Sequence, residues 1–462
     1  MTRMVGRYVP VEMAVLGLLE LLLSFAVIYA MTGAPGISRA GNLRWLMLNP
    51  QSANHAALLA GTIVICAVTI GLYRPEICLD HRRLVLNAAV AAILAFPVAL
   101  LVSSNFSAGL SRTYSIWLVK VLVLWLGFAV VSRSVFSFAL RQKLFARRVL
   151  ILGASGPTAR TAQAIRAGSG KLFEIAGIGL GFSEIARMTP ATLRESRIWG
   201  VVVASAVTDN PGDADAEQSR RLLRDWRLRG VRVYDDVAFW EQHLSRVNLN
   251  RIDAGWFLRA EGFGNGQISR AVKRIVDLTA SLILLALTFP LMMATAIAIK
   301  LDDPGEVLYR QQRVGLFSQP FTLLKFRSMR TDAEAEGAPR WADKRDPRVT
   351  RVGHFIRSTR IDELPQLLNV LRGEMSLIGP RPERPHFVAQ LAEAIPFYNE
   401  RSYVKPGITG WAQVNFPYGA SIEDAWEKLS YDLYYVKNRS TFLDMLILIS
   451  TVRVILFREG AR

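Results

Sequence analysis

The sequence predicts a membrane protein of mixed class, in which four transmembrane helices precede a Rossmann-like parallel α/β domain and a mostly α-helical domain with a re-entrant membrane helix. Composition is the first indication: 51% of the 462 residues are hydrophobic and mean hydropathy is +0.24, between the values expected for a soluble protein and for a transporter. The second indication is the distribution of the hydrophobic residues, because long apolar runs fill the first third of the chain. The length suffices for two or three domains, which the sequence places at residues 1–145, 146–262 and 268–462.

Four apolar runs in the first domain are each long enough, at about 20 residues, to cross a bilayer as a helix. They cover residues 10–32, 55–73, 83–103 and 113–139. Arginine-rich segments at the N-terminus, at 74–83 and at 141–148 are predicted to be cytoplasmic, because basic loops remain on that side. The chain after about residue 145 is therefore expected in the cytoplasm.

Two charged residues, Glu20 and Lys120, lie inside predicted spans. Either could belong to a functional polar site, or the two could neutralise each other within the helix bundle. Pairing between them is the interpretation that the sequence favours.

Alternating strand and helix patterns predict a parallel sheet in the second domain. Strands are expected at 149–152, 175–182, 198–206 and 231–234. The turn after the first strand has the pattern GxxGxxA instead of GxGxxG, and Glu184 is the only acid near the end of the second strand. Dinucleotide binding and a degenerate regulatory or packing role both remain open, and the second is favoured. A linker is expected at 262–267.

The apolar run at about 270–300 differs from the first four, since it has charged residues at both ends and Pro290 in its middle. A proline inside a helix removes a hydrogen bond and bends the helix. If this run crossed the bilayer completely, the basic residues that follow it would lie outside the cytoplasm. We therefore predict a helix–break–helix that enters one leaflet and returns to the cytoplasmic face, with an ordinary fifth span as the alternative.

The net charge of +18 predicts anionic partners, which are phosphorylated substrates, lipid headgroups or nucleic acid. Nucleic acid is the least favoured, because no RNP, zinc-finger or basic-zipper pattern occurs. Two cysteines and five scattered histidines exclude a disulfide framework and argue against a thiolate or histidine metal site. Any metal is expected to be a hard ion held by carboxylates and phosphates, such as Mg²⁺.

Residues 358–382, STRIDELPQLLNVLRGEMSLIGPRP, place the acid pair Asp362-Glu363 ahead of Arg381 between two prolines. One carboxylate could attack phosphorus while its neighbour holds Mg²⁺. The alternative role for the pair is a helix cap. Short basic motifs precede and follow the acid pair in the sequence. Arginine suits bidentate contacts with phosphate oxygens. For each basic residue, contact with a lipid headgroup or simple solvation is the alternative. The candidate phosphate-binding residues are Lys325, Arg327, Arg348, Arg351, Arg357, Arg381 and Lys405.

Residues 270–462 resemble the bacterial sugar transferase family, the polyprenyl-phosphate hexose-1-phosphate transferases. The resemblance rests on the order and combination of several sequence motifs: KRIVDLTASLILL, QQRVG, KFRSMR, DPRVTRVGHFIR, the 358–382 segment, KPGITGWAQVN and YDLYYVKNRS. The whole chain resembles the large form of the family, of the exopolysaccharide type. This resemblance implies transfer of a sugar-1-phosphate from a UDP-sugar to undecaprenyl phosphate at the bilayer, with Mg²⁺ and a homodimer as further expectations.

The resemblance also implies roles for particular residues. Asp362 matches the nucleophile that forms a covalent phosphosugar, Glu363 matches the Mg²⁺-holding acid, and Arg381 matches the phosphate-contacting arginine. Pro290 matches the break of the re-entrant helix, although family members often have serine before that proline, where this chain has Phe289.

Two rival functions are weaker. A membrane-tethered Rossmann enzyme that modifies nucleotide sugars would need a better glycine fingerprint and a YxxxK pair, and Tyr431, Tyr434 and Lys437 have the wrong spacing. A transporter or membrane scaffold would distribute polar residues through many spans, whereas the acid and arginine words here lie in roughly the last 160 residues.

Overall fold

The computed structural model describes residues 2–4, 7–9, 11–33, 50–73, 81–104, 112–144, 146–153, 155–168, 172–180, 182–204, 214–259, 266–331, 347–416 and 421–456. Contacts divide the chain into two compact units, Met1–Leu244 and Ser245–Arg462, which are described separately below. The three-domain division expected from the sequence stays a prediction.

Long helices occupy all four apolar runs of the first unit. After a short hairpin, β1 (Thr2–Met4) and β2 (Arg7–Val9), come α1 (Val11–Gly33), α2 (Pro50–Thr69), α3 (His81–Ser104) and α4 (Arg112–Arg141). By length and hydropathy, α3 and α4 contain candidate membrane spans, whereas the described apolar parts of α1 and α2 are shorter. The apolar helices indicate membrane association, and the four-span topology stays a prediction.

A buried ion pair joins α1 to α4, but its partners are not the ones expected. Arg133 Nη1 and Nη2 donate to the two carboxylate oxygens of Glu20 at 2.5 and 2.8 Å. The Tyr73 hydroxyl also donates to Glu20, at 2.6 Å, and Arg133 Nε donates to Leu72 O at 3.1 Å. The expected pairing of Glu20 with Lys120 is therefore wrong: Lys120 is exposed, and the partner of Glu20 is Arg133, which lies within the predicted fourth span.

Arg133→Met should lower the free energy of unfolding by about 3–5 kcal/mol, because it leaves the Glu20 carboxylate buried without its cation. The double variant Glu20→Leu/Arg133→Met should recover most of that loss, since apolar side chains of similar volume can replace a buried pair. Equilibrium unfolding in detergent micelles measures both. Equal destabilisation by Arg133→Met and by Arg372→Met at an exposed site would contradict the structural role of this pair.

The second part of this unit confirms the predicted parallel sheet. Four strands pair in the order β4-β3-β5-β6, all in parallel. Side chains of β3 alternate between two apolar cores: Val149 and Ile151 face one, and Leu150 and Leu152 the other. The strands and the helices around them are β3 (Arg147–Leu152), α5 (Ser155–Gly168), β4 (Phe173–Leu180), α6 (Phe182–Ile185), α7 (Pro190–Glu195), β5 (Ile198–Val203), α8 (Ala214–Leu228), β6 (Val233–Asp235), α9 (Asp236–Phe239) and a π-helix at Trp240–Leu244.

Both interpretations of this sheet, dinucleotide binding and the favoured degenerate regulatory or packing role, stay predictions. Ligands of parallel sheets bind at the carboxyl ends of the strands. Gly153, which follows β3, has φ +129°, a value that favours glycine. The segments 154, 181 and 205–213, which follow three of the strands, lie outside the described residues.

The second unit is mostly helical, as predicted. Its elements are α10 (Ala254–Arg259), α11 (Gln267–Asp302), β7 (Leu308–Val314), β8 (Pro320–Phe326), α12 (Arg351–Ser358), α13 (Gln366–Arg372), β9 (Ser376–Ile378), α14 (Pro385–Ala394), β10 (Gly407–Thr409), α15 (Trp411–Asn415), α16 (Ile422–Asn438) and α17 (Thr441–Leu456), with 3₁₀ turns at Leu316–Ser318, Ile361–Glu363 and Tyr398–Tyr403. Strands β7 and β8 form an antiparallel hairpin, and β9 and β10 pair in parallel.

Helix α11 is the third candidate membrane span, and most of its apolar surface is exposed. Its N-terminal part is attached to the unit by Arg274, which donates to Val370 O and Leu371 O at 2.6 and 2.8 Å. Near its C-terminal end, Ile299 packs with Phe326. The helix is continuous through Pro290, so no interruption marks the predicted break, and the re-entrant path stays a prediction.

The turn of the β7–β8 hairpin holds two non-glycine residues in the left-handed region. Phe317 and Ser318 have φ of 51° and 60°, and Gln319 N donates to Leu316 O at 3.1 Å. Two positive φ values in succession are typical of a type I′ turn, which favours Asn-Gly. Phe317→Asn/Ser318→Gly should therefore raise the free energy of unfolding by about 1–2 kcal/mol. Chemical denaturation measures this, and an unchanged or lower stability would contradict the turn assignment.

Candidate active site

A turn of backbone brings the adjacent acids Asp362 and Glu363 to one side of the chain. Arg360 has φ +61°, so the chain leaves α12 sharply and enters the 3₁₀ turn Ile361–Glu363. Asp362 and Glu363 are only 7% and 8% exposed. The Lys325 ammonium on β8 lies 4.0 Å from Asp362 Oδ2 and 3.3 Å from Glu363 Oε1. Both carboxylates therefore face the same cation, although neighbours on an α-helix would point about 100° apart.

Three cations converge on one oxygen of Glu363. Arg381 Nη2 donates to Oε1 at 2.9 Å, Lys325 Nζ lies at 3.3 Å and Arg360 Nη1 at 3.6 Å. Burial alone would raise the pKa of Glu363, but Arg381, Lys325 and Arg360 together outweigh it and hold the pKa well below its usual range. These cations therefore favour the ionised form of Glu363 near neutral pH.

Asp362 has a different environment from its neighbour. Burial raises its pKa, and the negative charge of Glu363 adds to the effect, whereas Lys325 and Arg381 oppose it. Environments that push two adjacent pKa values apart typically assign different chemical roles to the two groups. A desolvated, more basic carboxylate beside one ammonium group is suited to attack an electrophile, while its neighbour supplies fixed charge.

The hairpin that carries Lys325 is fixed to the helix that follows the acids. Asn369, fully buried on α13, accepts from Leu324 N at 3.0 Å and donates to Thr322 O at 2.7 Å. Burial lowers the pKa of the Lys325 ammonium, although Glu363 opposes this. Asn369 thus sets the position of Lys325 relative to the acids.

Two of the predicted basic residues, Lys325 and Arg381, lie at the acid pair, and two others are engaged elsewhere. Arg327 donates to Asp303 O at the end of α11. Lys405 lies in the neighbourhood of Gly373 and Arg274, beyond the C-terminal end of α13. Neither residue lies at the acid pair, and the phosphate-binding role of Arg327 and Lys405 stays a prediction.

The remaining three predicted basic residues lie in or just before α12. Arg348 O accepts from Arg330 N at 3.0 Å, Arg351 is exposed in the first turn, and Arg357 is half-buried in the last turn. Neither Arg351 nor Arg357 forms an ion pair with the acids in the described part of the chain. Their phosphate-binding role stays a prediction.

Sequence reasoning missed Arg360, which is the third cation at Glu363. Its spacing was a usable signal, because residues three apart in a helical turn face each other. It also missed Arg401, whose side chain is tied to the backbone of Arg381. No local pattern could have indicated this role of Arg401, since Arg381, whose carbonyl it contacts, lies 20 residues away in the chain.

The acid pair offers carboxylate oxygens of the kind that Mg²⁺ prefers, and magnesium binding at this site stays a prediction. Mg²⁺ prefers oxygen ligands, keeps several waters, and is commonly bound by one or two carboxylates together with substrate phosphates. Among the described residues, no group of three or more His, Cys, Asp or Glu side chains could hold a metal ion. Glu363, with Asp362 beside it, would therefore hold Mg²⁺ only with the help of ligand oxygens.

The apolar helices and the buried acid pair define a membrane-associated protein with a candidate catalytic centre in its second unit. The family model described as bacterial sugar transferase matches residues 268–458. A relative from Caulobacter vibrioides, a UDP-glucose:undecaprenyl-phosphate glucose-1-phosphate transferase, is 41% identical over 191 residues, which are 41% of this chain and 71% of the relative. The chain belongs to the bacterial sugar transferase family.

Two further relatives align with longer parts of this chain. The UDP-N-acetylgalactosamine-undecaprenyl-phosphate N-acetylgalactosaminephosphotransferase of Aeromonas hydrophila is 52% identical over 264 residues, which are 57% of this chain and 62% of the relative. The undecaprenyl-phosphate glucose phosphotransferase of Komagataeibacter xylinus is 35% identical over 359 residues, 73% of this chain and 66% of the relative. The chain thus spans slightly less than two thirds of both relatives.

Proposed function

We propose that this protein transfers a sugar-1-phosphate from a UDP-sugar to undecaprenyl phosphate, giving undecaprenyl-diphosphate-sugar and UMP. The observation that carries the proposal is the acid pair itself: two buried neighbouring carboxylates, one held as an anion by three cations and the other made more basic by burial. The names of the relatives support the same donor and acceptor classes. The reaction would be the first membrane step of exopolysaccharide biosynthesis.

The first half of the proposed reaction forms a covalent intermediate. A carboxylate oxygen of Asp362 attacks the phosphorus that carries the sugar, and the bond from that phosphorus to the bridging oxygen breaks. UMP leaves with the bonding electron pair, and an aspartyl-phosphosugar remains. Lys325, 4.0 Å from Asp362, opposes the effect of burial and favours the ionised form of the attacking carboxylate, and it neutralises charge on the phosphate oxygens.

The second half regenerates the enzyme. A phosphate oxygen of undecaprenyl phosphate attacks the same phosphorus, and the acyl-phosphate bond to Asp362 breaks, which restores the carboxylate. Arg381 and Arg360, held by Glu363, supply positive charge beside the diphosphate in both halves. When bound at Glu363, Mg²⁺ would neutralise charge that develops on the phosphate oxygens.

The membrane arrangement belongs to the same proposal. Four spans would anchor the chain in the bacterial inner membrane, and a re-entrant α11 bent near Pro290 would keep the second unit on the cytoplasmic face. The exposed apolar surface of α11, together with its attachment to the unit near both ends, supports this arrangement. A re-entrant helix would place the acid pair at the depth of the lipid phosphate.

The proposed function is tested by measuring UMP release from a panel that includes UDP-glucose and UDP-N-acetylgalactosamine, with purified protein in detergent, Mg²⁺ and undecaprenyl phosphate. Release with one sugar, together with formation of the lipid-linked product, is the expected result. If folded protein releases no UMP with any sugar, the proposal fails. A membrane-tethered Rossmann enzyme would instead convert the UDP-sugar into another nucleotide sugar.

A further inference from the structure

The segment Pro380-Arg381-Pro382 is held by its backbone. Each of its three carbonyl oxygens accepts a hydrogen bond from a different element. Gly407 N of β10 donates to Pro380 O at 2.9 Å, Arg401 Nη2 donates to Arg381 O at 2.9 Å, and Arg313 Nη1 of β7 donates to Pro382 O at 3.0 Å. The prolines have fixed φ and no N–H, so these carbonyl contacts anchor a stretch that regular secondary structure cannot hold.

Arg401 is itself held firmly. It lies in the 3₁₀ turn Tyr398–Tyr403, where Nη1 donates to the Tyr398 hydroxyl at 2.8 Å and Nη2 lies 2.8 Å from Asp432 Oδ2 on α16. Burial raises the pKa of Tyr398 to about 12, with Arg401 opposing, so the hydroxyl stays neutral and can accept this bond. Asp432 is the buried counter-charge.

These contacts form one connected path from α16 to the acid pair. Asp432 contacts Arg401, Arg401 holds the backbone of Arg381, and the Arg381 side chain donates to Glu363. A buried ion pair such as Arg401–Asp432 is weak evidence for stability, because its desolvation offsets much of its attraction. The pair has a clearer consequence for position, since the planar guanidinium can bind a carbonyl, a hydroxyl and a carboxylate at once.

We infer that Arg401 is a positioning residue for the proposed sugar-phosphate transfer: by holding the carbonyl of Arg381, it aims the Arg381 guanidinium at Glu363 and the donor diphosphate. This inference rests on the proposed function. Arg313 holds the next carbonyl, that of Pro382, in the same way. Its Nε and Nη2 both donate to Gln311 Oε1 on β7. Neither arginine needs to contact the substrate.

The test is a double-mutant cycle between position 401 and position 381, with steady-state UMP release as the measurement. Arg401→Lys keeps the charge beside Asp432 but cannot bridge the three partners. It should lower kcat about 10²-fold, the scale of a small misplacement of a catalytic group, with a smaller change in KM. In an Arg381→Ala background the same substitution should cause little further loss, because the group that Arg401 aims is already gone.

Arg372→Lys at an exposed position is the matched control and should leave kcat unchanged. If Arg401→Lys does not fold, Arg313→Lys takes its place in the cycle, with the same non-additivity expected. Equal fractional losses in both backgrounds, from folded and active proteins, would overturn the inference and leave the proposed function standing. A wild-type protein that releases no UMP would reject the function, and the inference with it.

Discussion

Asp362→Asn is expected to abolish sugar-phosphate transfer while the protein remains folded. An amide has the same shape as the carboxylate but cannot act as the nucleophile, and loss of a nucleophile costs about 10⁴-fold or more in kcat. Stability should be kept, because burial already disfavours the charged form of Asp362 and its nearest cation, Lys325, is 4.0 Å away. The neutral amide therefore removes little that stabilises the fold.

UMP release and thermal unfolding of the same preparation check this expectation. Gly156→Ala is a suitable control in the first unit, since Gly156 is exposed and has open space where a Cβ would be added. Gly153 is less suitable, because its φ of +129° would strain any other residue. Substantial turnover by Asp362→Asn, free of contaminating wild-type protein, would show that another group carries the chemistry.

Glu363→Gln is expected to damage both activity and stability. The substitution leaves Arg381, Lys325 and Arg360 without their common anion, which should lower the free energy of unfolding by about 3 kcal/mol. The activity of the folded fraction should fall about 10²-fold or more, since the preorganised charges around the diphosphate are disturbed. The Mg²⁺ concentration needed for half-maximal rate should also rise.

The contrast between the two acids is the informative result. Asp362→Asn should lose activity and keep stability, whereas Glu363→Gln should lose both. Unfolding curves in denaturant, recorded beside Mg²⁺ titrations of the rate, measure the two effects. Equal stability of Glu363→Gln and the wild type would mean that the three cations do not depend on Glu363, which would contradict the charge arrangement described here.

Local patterns were sufficient to predict much of the fold. Apolar runs and strand–turn–helix alternation depend on neighbours in the chain, and the structure has helices and parallel strands in those places. Contacts between distant residues were less accessible. Glu20 pairs with Arg133 instead of Lys120, because the rotation of each helix about its axis decides which charged residue faces inward. That rotation cannot be predicted from a continuous apolar sequence.

The candidate site shows the same limit. Lys325 and Arg381, two of the predicted phosphate-binding residues, lie beside Asp362 and Glu363 in the structure. Arg327 and Lys405 looked equivalent in sequence, yet their neighbours are the ends of α11 and α13. The sequence does not show whether a basic side chain contacts a phosphate, a carboxylate or a backbone carbonyl. Arg401, which holds the carbonyl of Arg381, was therefore invisible until the tertiary contacts were known.

The most direct test of the central claim is to trap the covalent intermediate. Purified protein would be mixed with the UDP-sugar that supports turnover, without undecaprenyl phosphate, and then quenched, digested and analysed by mass spectrometry. We predict a burst of UMP of about one equivalent per active site and a phosphosugar on the peptide that contains Asp362. Turnover only when both substrates are present, with no burst and no modified peptide, would contradict a covalent mechanism at Asp362.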